Sequence, residues 1–333
     1  MVLTDPIGCR DAGSGIGGRR MSIAFDIRHL SGTHEVELFN RLPYALNHEI
    51  ADDLEQGRRR LEWTWLAIRD DRLIGRLALW SPSGSTDATQ FDVFDLDDAL
   101  SDDEQREIGA ALLEAAHTQV IAGQATPPEF ARYLAADWRE RPAERRATET
   151  IMALLESSGA RFVVERLRLQ WEPKAGLPTP DPRLDFRGFE SDDELLDLTT
   201  RALAGTLDAH SRGELGQASP RDVARAQFDE EFARYSTPRE WWRVAVDGAG
   251  EAVGFVFPAR NSYHHIIAYV GVLPEHRGNG FIDGILGEGT RVLAEAGAPH
   301  IRASTDVGNL PMANAFARAG YGTFQRLINM EWD

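Results

Sequence analysis

The stretch from Tyr269 to Gly289, YVGVLPEHRGNGFIDGILGEG, restricts the fold more than any other part of the chain. An apolar run suited to a central strand ends at Val272 and Pro274, and a loop holding Gly278 and Gly280 follows. A helical pattern carrying Ile285, Leu286, Val292 and Leu293 begins at once. Consecutive backbone N–H groups at such a loop and helix start form a positively polarised nest suited to a diphosphate. Glycine lets anion oxygens approach the chain closely, and Arg277 adds a charge able to pair with them. A strand, an anion-binding turn and a helix in this order define an α/β unit with its ligand at the strand end.

The elements around this unit read in the same way. Pro173, Pro178, Pro180 and Pro182 make 173–183 an extended connector between two halves, 21–172 and 184–333. Beyond it, LDFRGF reads as a short strand, SDDELLDLTTRALAGTL as a helix started by Ser191, and about 221–235 as a second helix. WWRVAVDGAGEAVGFVFPA is a hairpin, HHIIAYVGVLP a central strand, HIRASTDV a further strand, PMANAFARAG a helix and TFQRLINMEW a closing β segment. The N-terminal half repeats the plan in weaker form: WLAIRDDRLIG matches WRVAVDGAGEAVG, GAALLEAAHTQ resembles GILGEGTRVLA, and MALLESSGARF resembles NAFARAGYGTF. Residues 1–20 read as a flexible leader, because the GSGIGG run with Gly13, Gly15 and Gly18 has no strand before it.

Composition removes several classes of function. A net charge of -17, from 36 Lys+Arg against 53 Asp+Glu, argues against nucleic-acid or anionic-membrane binding and favours cationic partners. The single cysteine, Cys9, leaves no intrachain disulfide and no CxxC pair, which fits a reducing cytoplasm. No stretch has the length of a membrane span, and no HExxH, GxxxxGK[ST] or GxSxG motif is present, so a soluble, cytoplasmic protein without a metal is expected.

The six residues Arg277, Gly278, Asn279, Gly280, Phe281 and Ile282 resemble the R/Q-x-x-G-x-G/A loop of the GNAT (N-acetyltransferase) superfamily, with Ile282 where Gly or Ala is usual. Asn309 and the pair Gly320 and Tyr321 stand at that family's spacing, so the resemblance covers nearly all of 184–333. It implies an α/β (α+β) fold of two tandem GNAT-like domains, each a mixed, mostly antiparallel sheet flanked by helices, the second catalytic and the first a degenerate copy. It implies acetyl-CoA as cosubstrate and a primary amine as acceptor, on a small molecule or a peptide. Pantetheine then lies along Val270, Gly271 and Val272, the Val272 N–H polarises the thioester carbonyl, and Asn309 and Phe316 border the cofactor.

Phe316 stands where many members carry a tyrosine acid, and a phenyl ring donates no proton. Tyr321 is the substitute acid if its turn aims it inward. An amine that is mostly protonated at neutral pH needs a base, for which His264 or His265 and Asp306 are the candidates; the two histidines point to opposite faces of a strand. The segment 208–219, with His210, Arg212 and Glu214, is expected to line the acceptor side. At the matching place in the first half, Glu104 and Glu107 replace the glycines and repel a diphosphate, so no coenzyme is expected there. A non-catalytic acyl-CoA-binding or scaffold protein on the same fold is the alternative.

Overall fold

Runs that alternate apolar and polar residues, separated by turns and by amphipathic stretches of helical period, give strands and helices in the order the sequence suggests. The computed structural model describes residues 24–332, so the leader, its glycine run and Cys9 lie outside the described residues. Six strands come before the connector: β1 (Asp26–His29), β2 (Thr64–Arg69), β3 (Arg72–Trp80), β4 (Gln90–Leu96), β5 (Glu129–Ala135) and β6 (Ala160–Trp171). Six follow it: β7 (Asp185–Arg187), β8 (Arg243–Val246), β9 (Ala252–Arg260), β10 (His265–Val272), β11 (Ile301–Asp306) and β12 (Gly322–Trp332). The helices of the first half are α1 (Val36–Phe39), α2 (Ile50–Glu55), α3 (Asp102–Gln119) and α4 (Pro142–Ser157). Those of the second are α5 (Asp192–Ala202), α6 (Ala209–Leu215), α7 (Pro220–Glu230), α8 (Phe281–Glu295) and α9 (Leu310–Arg318). None of these helices is long and apolar enough to cross a membrane.

The sequence leads one to expect two sheets, whereas all twelve strands form one, in the order β1-β2-β3-β4-β5-β12-β6-β11-β10-β9-β8-β7. The halves have exchanged their last strands. β12 pairs with β5 of the first half, β6 pairs with β11 of the second, and β6 and β12 lie antiparallel side by side. Only β4–β5 and β10–β11 are parallel.

Side-chain alternation explains why the exchange holds. Leu167, Leu169 and Trp171 of β6 pack with Ile285, Leu293 and Phe316 beneath the second half, while Ile328 and Met330 of β12 pack with Trp65, Phe91 and Phe130 beneath the first. Each core is closed by a strand from the other half. Buried Glu165 on β6 ties the seam further, accepting hydrogen bonds from Arg139 Nη1 at 2.7 Å, Trp138 Nε1 at 3.3 Å and Arg326 Nη1 of β12 at 3.0 Å. Because neither core is complete alone, heat is expected to unfold the chain in one cooperative transition, and Met330→Ala should cost about 2–5 kcal/mol of whole-chain stability. Calorimetry reads both, and two separate transitions would contradict the shared closure.

Candidate active site

β10 and β11 start as parallel neighbours and then part. Their pairing consists of His265 with Ile301 and Ile266 with Arg302, after which the strands diverge and leave a wedge open toward Val272 and Asp306. On its other side β10 stays bonded to β9, with one bulge between Ile267 and Tyr269. The Leu273 N–H donates to the Val253 carbonyl at 2.9 Å, so by the alternation of an antiparallel ladder Gly271 also bonds toward β9. The peptide groups of Val270 and Val272 therefore face the wedge, as an added strand would require. Gly254 allows this geometry, since a Cβ there would stand 2.4 Å from the Gly271 carbonyl oxygen.

At the mouth of the wedge, Gly278 and Gly280 take φ values of 82° and 77°, a region that other residues adopt only with strain. A Cβ at Gly278 would meet nothing within 4 Å, and one at Gly280 only Arg183 Nη2 at 3.9 Å, so the space over the loop is open to a ligand. Gly280 caps α8 without any side-chain hydrogen bond to the helix amides. The first turn of a 15-residue helix is thus left to an outside anion. Phe281 and Ile282 anchor that turn on the core below. Arg277 has a different task from the expected one: its guanidinium donates to the carbonyls of Val272 at 3.1 Å, Ala204 at 2.6 Å and Ala202 at 2.8 Å. It fastens the end of α5 to the end of β10. Arg183, from the connector and ion-paired with Asp181 at 2.6 Å, also stands at the loop, donating to the Asn279 carbonyl at 3.0 Å and lying over the Phe281 ring. No motif marks Arg183 in the sequence.

The far wall of the wedge is acidic. Counting from the paired residues, Asp306 stands about level with Val270 across the opening. Its carboxylate is buried; Oδ2 accepts the Ala209 N–H at 2.7 Å, while Oδ1 has no hydrogen bond among the described residues. Burial, and then the charge of Asp208, push Asp306 above the usual carboxylate range. Asp208 caps α6 through Ser211 N–H at 2.9 Å, and Arg166 of β6 lies 3.3 Å from Asp208 and 3.2 Å from Asp306. Burial alone would raise Asp208, but Arg166 and the Ser211 amide outweigh it and hold it low. Two carboxyls with opposite displacements thus share one arginine beside the wedge. Asp208 opens the segment 208–219 expected on the acceptor side but was not singled out within it, although an Asp at a helix start is a capping signal. His210 Nε2 meets Glu129 of β5 at 2.5 Å, a bond that raises the imidazole and joins the two halves. Glu214 accepts from Gln227 at 2.7 Å, and Arg212 is exposed on α6.

The remaining expected residues are dispersed. Tyr321 is buried, its hydroxyl 2.8 Å from Thr290 Oγ1 of α8 and its ring 5.1 Å from Phe316. Both rings belong to the core under α8 and α9, so the substitute-acid role for Tyr321 and the bordering role for Phe316 give way to packing. His265 opens β10 at the closed, paired end, seven residues or about 23 Å of strand from Val272. His264 precedes β10 and is bonded to His300 and Arg302, and its imidazole is pushed down to about 4, first by burial and then by Arg302. Neither histidine reaches the wedge mouth; Asp306 does. Asn309 caps α9 through Met312 N–H at 3.3 Å, beside the same opening.

The first half shows the corresponding wedge filled. β4 and β5 also part after two pairs, but Arg132 of β5 bridges the gap to the Phe94 carbonyl and Asp95 of β4, each at 2.9 Å. Arg76 binds Asp95 from the other side at 2.9 Å, and burial, which alone would raise Asp95, is outweighed by the two arginines. The loop into α3 spans 97–100, against 273–279 before α8. The α3 amides are already capped by Ser101, whose own N–H is bonded to Glu104 at 2.9 Å.

A wedge between parallel strands, a glycine loop feeding an uncapped helix, and a mirrored but filled copy define a tandem acetyltransferase fold. Residues 207–321 match the model of the Acetyltransferase (GNAT) family. Among solved structures, the GCN5-related N-acetyltransferase from Sphaerobacter thermophilus is similar with a TM-score of 0.56 and 17% identity, over 92% of this chain and 94% of that one. A tandem GNAT protein from the clavulanic acid biosynthesis pathway is similar with a TM-score of 0.50 and 16% identity, over 92% of this chain and 98% of that one. No curated protein matches in sequence.

Two outcomes follow from the placements. Tyr321→Phe should lose only the Thr290 bond, about 1 kcal/mol in a denaturant titration, with turnover retained. Arg277→Lys should lower the melting temperature and weaken coenzyme binding together, because an ammonium cannot reach the same carbonyls as a guanidinium fork.

Proposed function

We propose that the second half transfers an acetyl group from acetyl-CoA to a primary amine by direct attack on the thioester. The observation that carries this reading is the open wedge, with the Val270 and Val272 peptide groups on one wall and the buried Asp306 carboxylate, held by Arg166 and the Ala209 N–H, on the other. The residues present fit the coenzyme. The Gly278–Ile282 loop and the first turn of α8 would hold its diphosphate, Arg183 would add charge, and the Val270 and Val272 peptides would pair with pantetheine.

Asp306 takes the proton of the attacking amine, directly or through one water, and its upward displacement makes it a better base than an ordinary aspartate. The Val272 N–H is directed at the oxygen that gains charge as the amine adds. The carbon–nitrogen bond forms as the carbon–sulfur bond breaks, and the sulfur leaves as thiolate, which is tolerable for a thiol titrating near ~8.5. No hydroxyl acid is needed, which accommodates Phe316 and the commitment of Tyr321 to Thr290. The lack of such an acid also favours one rival reading, an acyl-CoA-binding protein without turnover. A cytoplasmic setting belongs to the proposal, supported by the single cysteine.

Calorimetric titration with acetyl-CoA should show one site, abolished by Gly280→Glu, whose side chain would be strained at that φ and would repel the diphosphate. Asp306→Asn should keep coenzyme affinity and lower kcat by about 10²–10⁴. Since a base must be ionised to act, kcat/KM should fall on acidification through a value above the ordinary aspartate range. Binding without turnover of any amine in a broad panel would instead select the rival.

A further inference from the structure

The acceptor side of the sheet carries a second feature beside the acidic wall. Asp306, Ser304 and Arg302 alternate along one face of β11, and their partners in register on β6 are Arg166, Arg168 and Gln170. Successive side chains on one face stand about 6.6 Å apart, so this floor runs about 13 Å from Asp306 to Arg302. Its charge reverses on the way. At the Asp306 end, Arg166 is matched by two carboxylates. At the other end, neither Arg168 nor Arg302 has an ion pair among the described residues.

Arg168 lies over the rings of Tyr133, at 4.5 Å, and Phe324, at 5.6 Å, and Arg302 over Phe324 at 4.6 Å. Arg302 donates to Gln170 Oε1 at 3.1 Å and to His264 Nε2 at 2.5 Å. A guanidinium has no acceptor, so His264 Nε2 must be the unprotonated nitrogen. That matches the strong downward displacement of this imidazole and means the histidine supplies no countercharge. Arg302 is lowered by burial and by Arg168; Glu49, which opposes this, stays beyond ion-pair distance and is itself raised by burial. Two adjacent, half-buried cations held by aromatic faces and neutral acceptors, in a chain of net charge -17, are arranged to take an oxyanion.

We propose that the acceptor is an amine that also carries a carboxylate or phosphate, with its nitrogen at Asp306 and its oxyanion at Arg168 and Arg302. This rests on the transfer reading above, and it sets aside polycations such as polyamines and aminoglycosides, which the acidic composition alone would favour. Tyr133 comes from β5, so the first half contributes to the subsite by walling it.

The test uses 4-aminobutyrate, 6-aminohexanoate and O-phosphoethanolamine, the carboxamides of the two amino acids, and diamines of matching length. Each is titrated calorimetrically into the full chain saturated with coenzyme A, and each is assayed for turnover with acetyl-CoA. An oxyanion-bearing amine is expected to bind at least about tenfold more tightly than its neutral or cationic counterpart. That preference should vanish in Arg302→Gln and Arg168→Gln and persist largely in Arg302→Lys; the ranking of carboxylate against phosphate identifies the source of the oxyanion. The wild-type ratio alone decides the matter if a variant does not fold. Equal or better binding of carboxamides and diamines, or no binding by any oxyanion-bearing amine, overturns the subsite. Preferential binding without turnover would leave the subsite standing and remove the transfer reading, whereas turnover without preference would do the reverse.

Discussion

The pairing of β6 with β12 is the contact on which the rest of the structure depends. It fuses two six-stranded units into one sheet, and it gives each hydrophobic core a strand made in the other half. The apolar face of each exchanged strand lies over helices, while the opposite face of β6, with Arg166, Arg168 and Gln170, becomes the floor between the halves. The exchange therefore does more than join domains. It brings the side chains of a strand from the first half under the open wedge of the second.

The two wedges show how the same backbone supports opposite outcomes. Parallel strands that part expose peptide groups that must be bonded, and the two halves meet that demand differently. In the first, a buried arginine–aspartate network spans the gap and a serine–glutamate cap closes the helix start. In the second, the peptide groups of Val270 and Val272 and the amides of α8 stay available, while Arg277 spends its donors on carbonyls behind the loop. One copy leaves backbone polar groups unpaired, and the other pairs them.

Much of this was legible in the sequence. The strand, glycine loop and helix around Gly278 and Gly280 were readable from their spacing, whereas the bond by which Glu104 caps α3 in the first copy was not. Asp306 was identifiable as an acid at a strand end. The exchange was not legible, because β6 and β12 have the same pattern and nothing in either states which core it will fill. Side-chain direction was equally hidden: Tyr321 and the two histidines are suitable chemically, and only packing reveals that their polar atoms are committed to Thr290, Arg302 or the closed end of β10. Asp208 and Arg183 stand beside the wedge and the glycine loop because of the turns that place them, which spacing alone does not disclose.

The exchange also sets a schedule for biosynthesis. Arg326 of β12 bonds to the Ala136 carbonyl across a separation of 190 residues, so β5 is made long before its neighbour exists. At ribosomal rates this interval lasts roughly ten to forty seconds, during which the first half has an unpaired strand edge and an open core. The first core is therefore closed only by the last of the described strands.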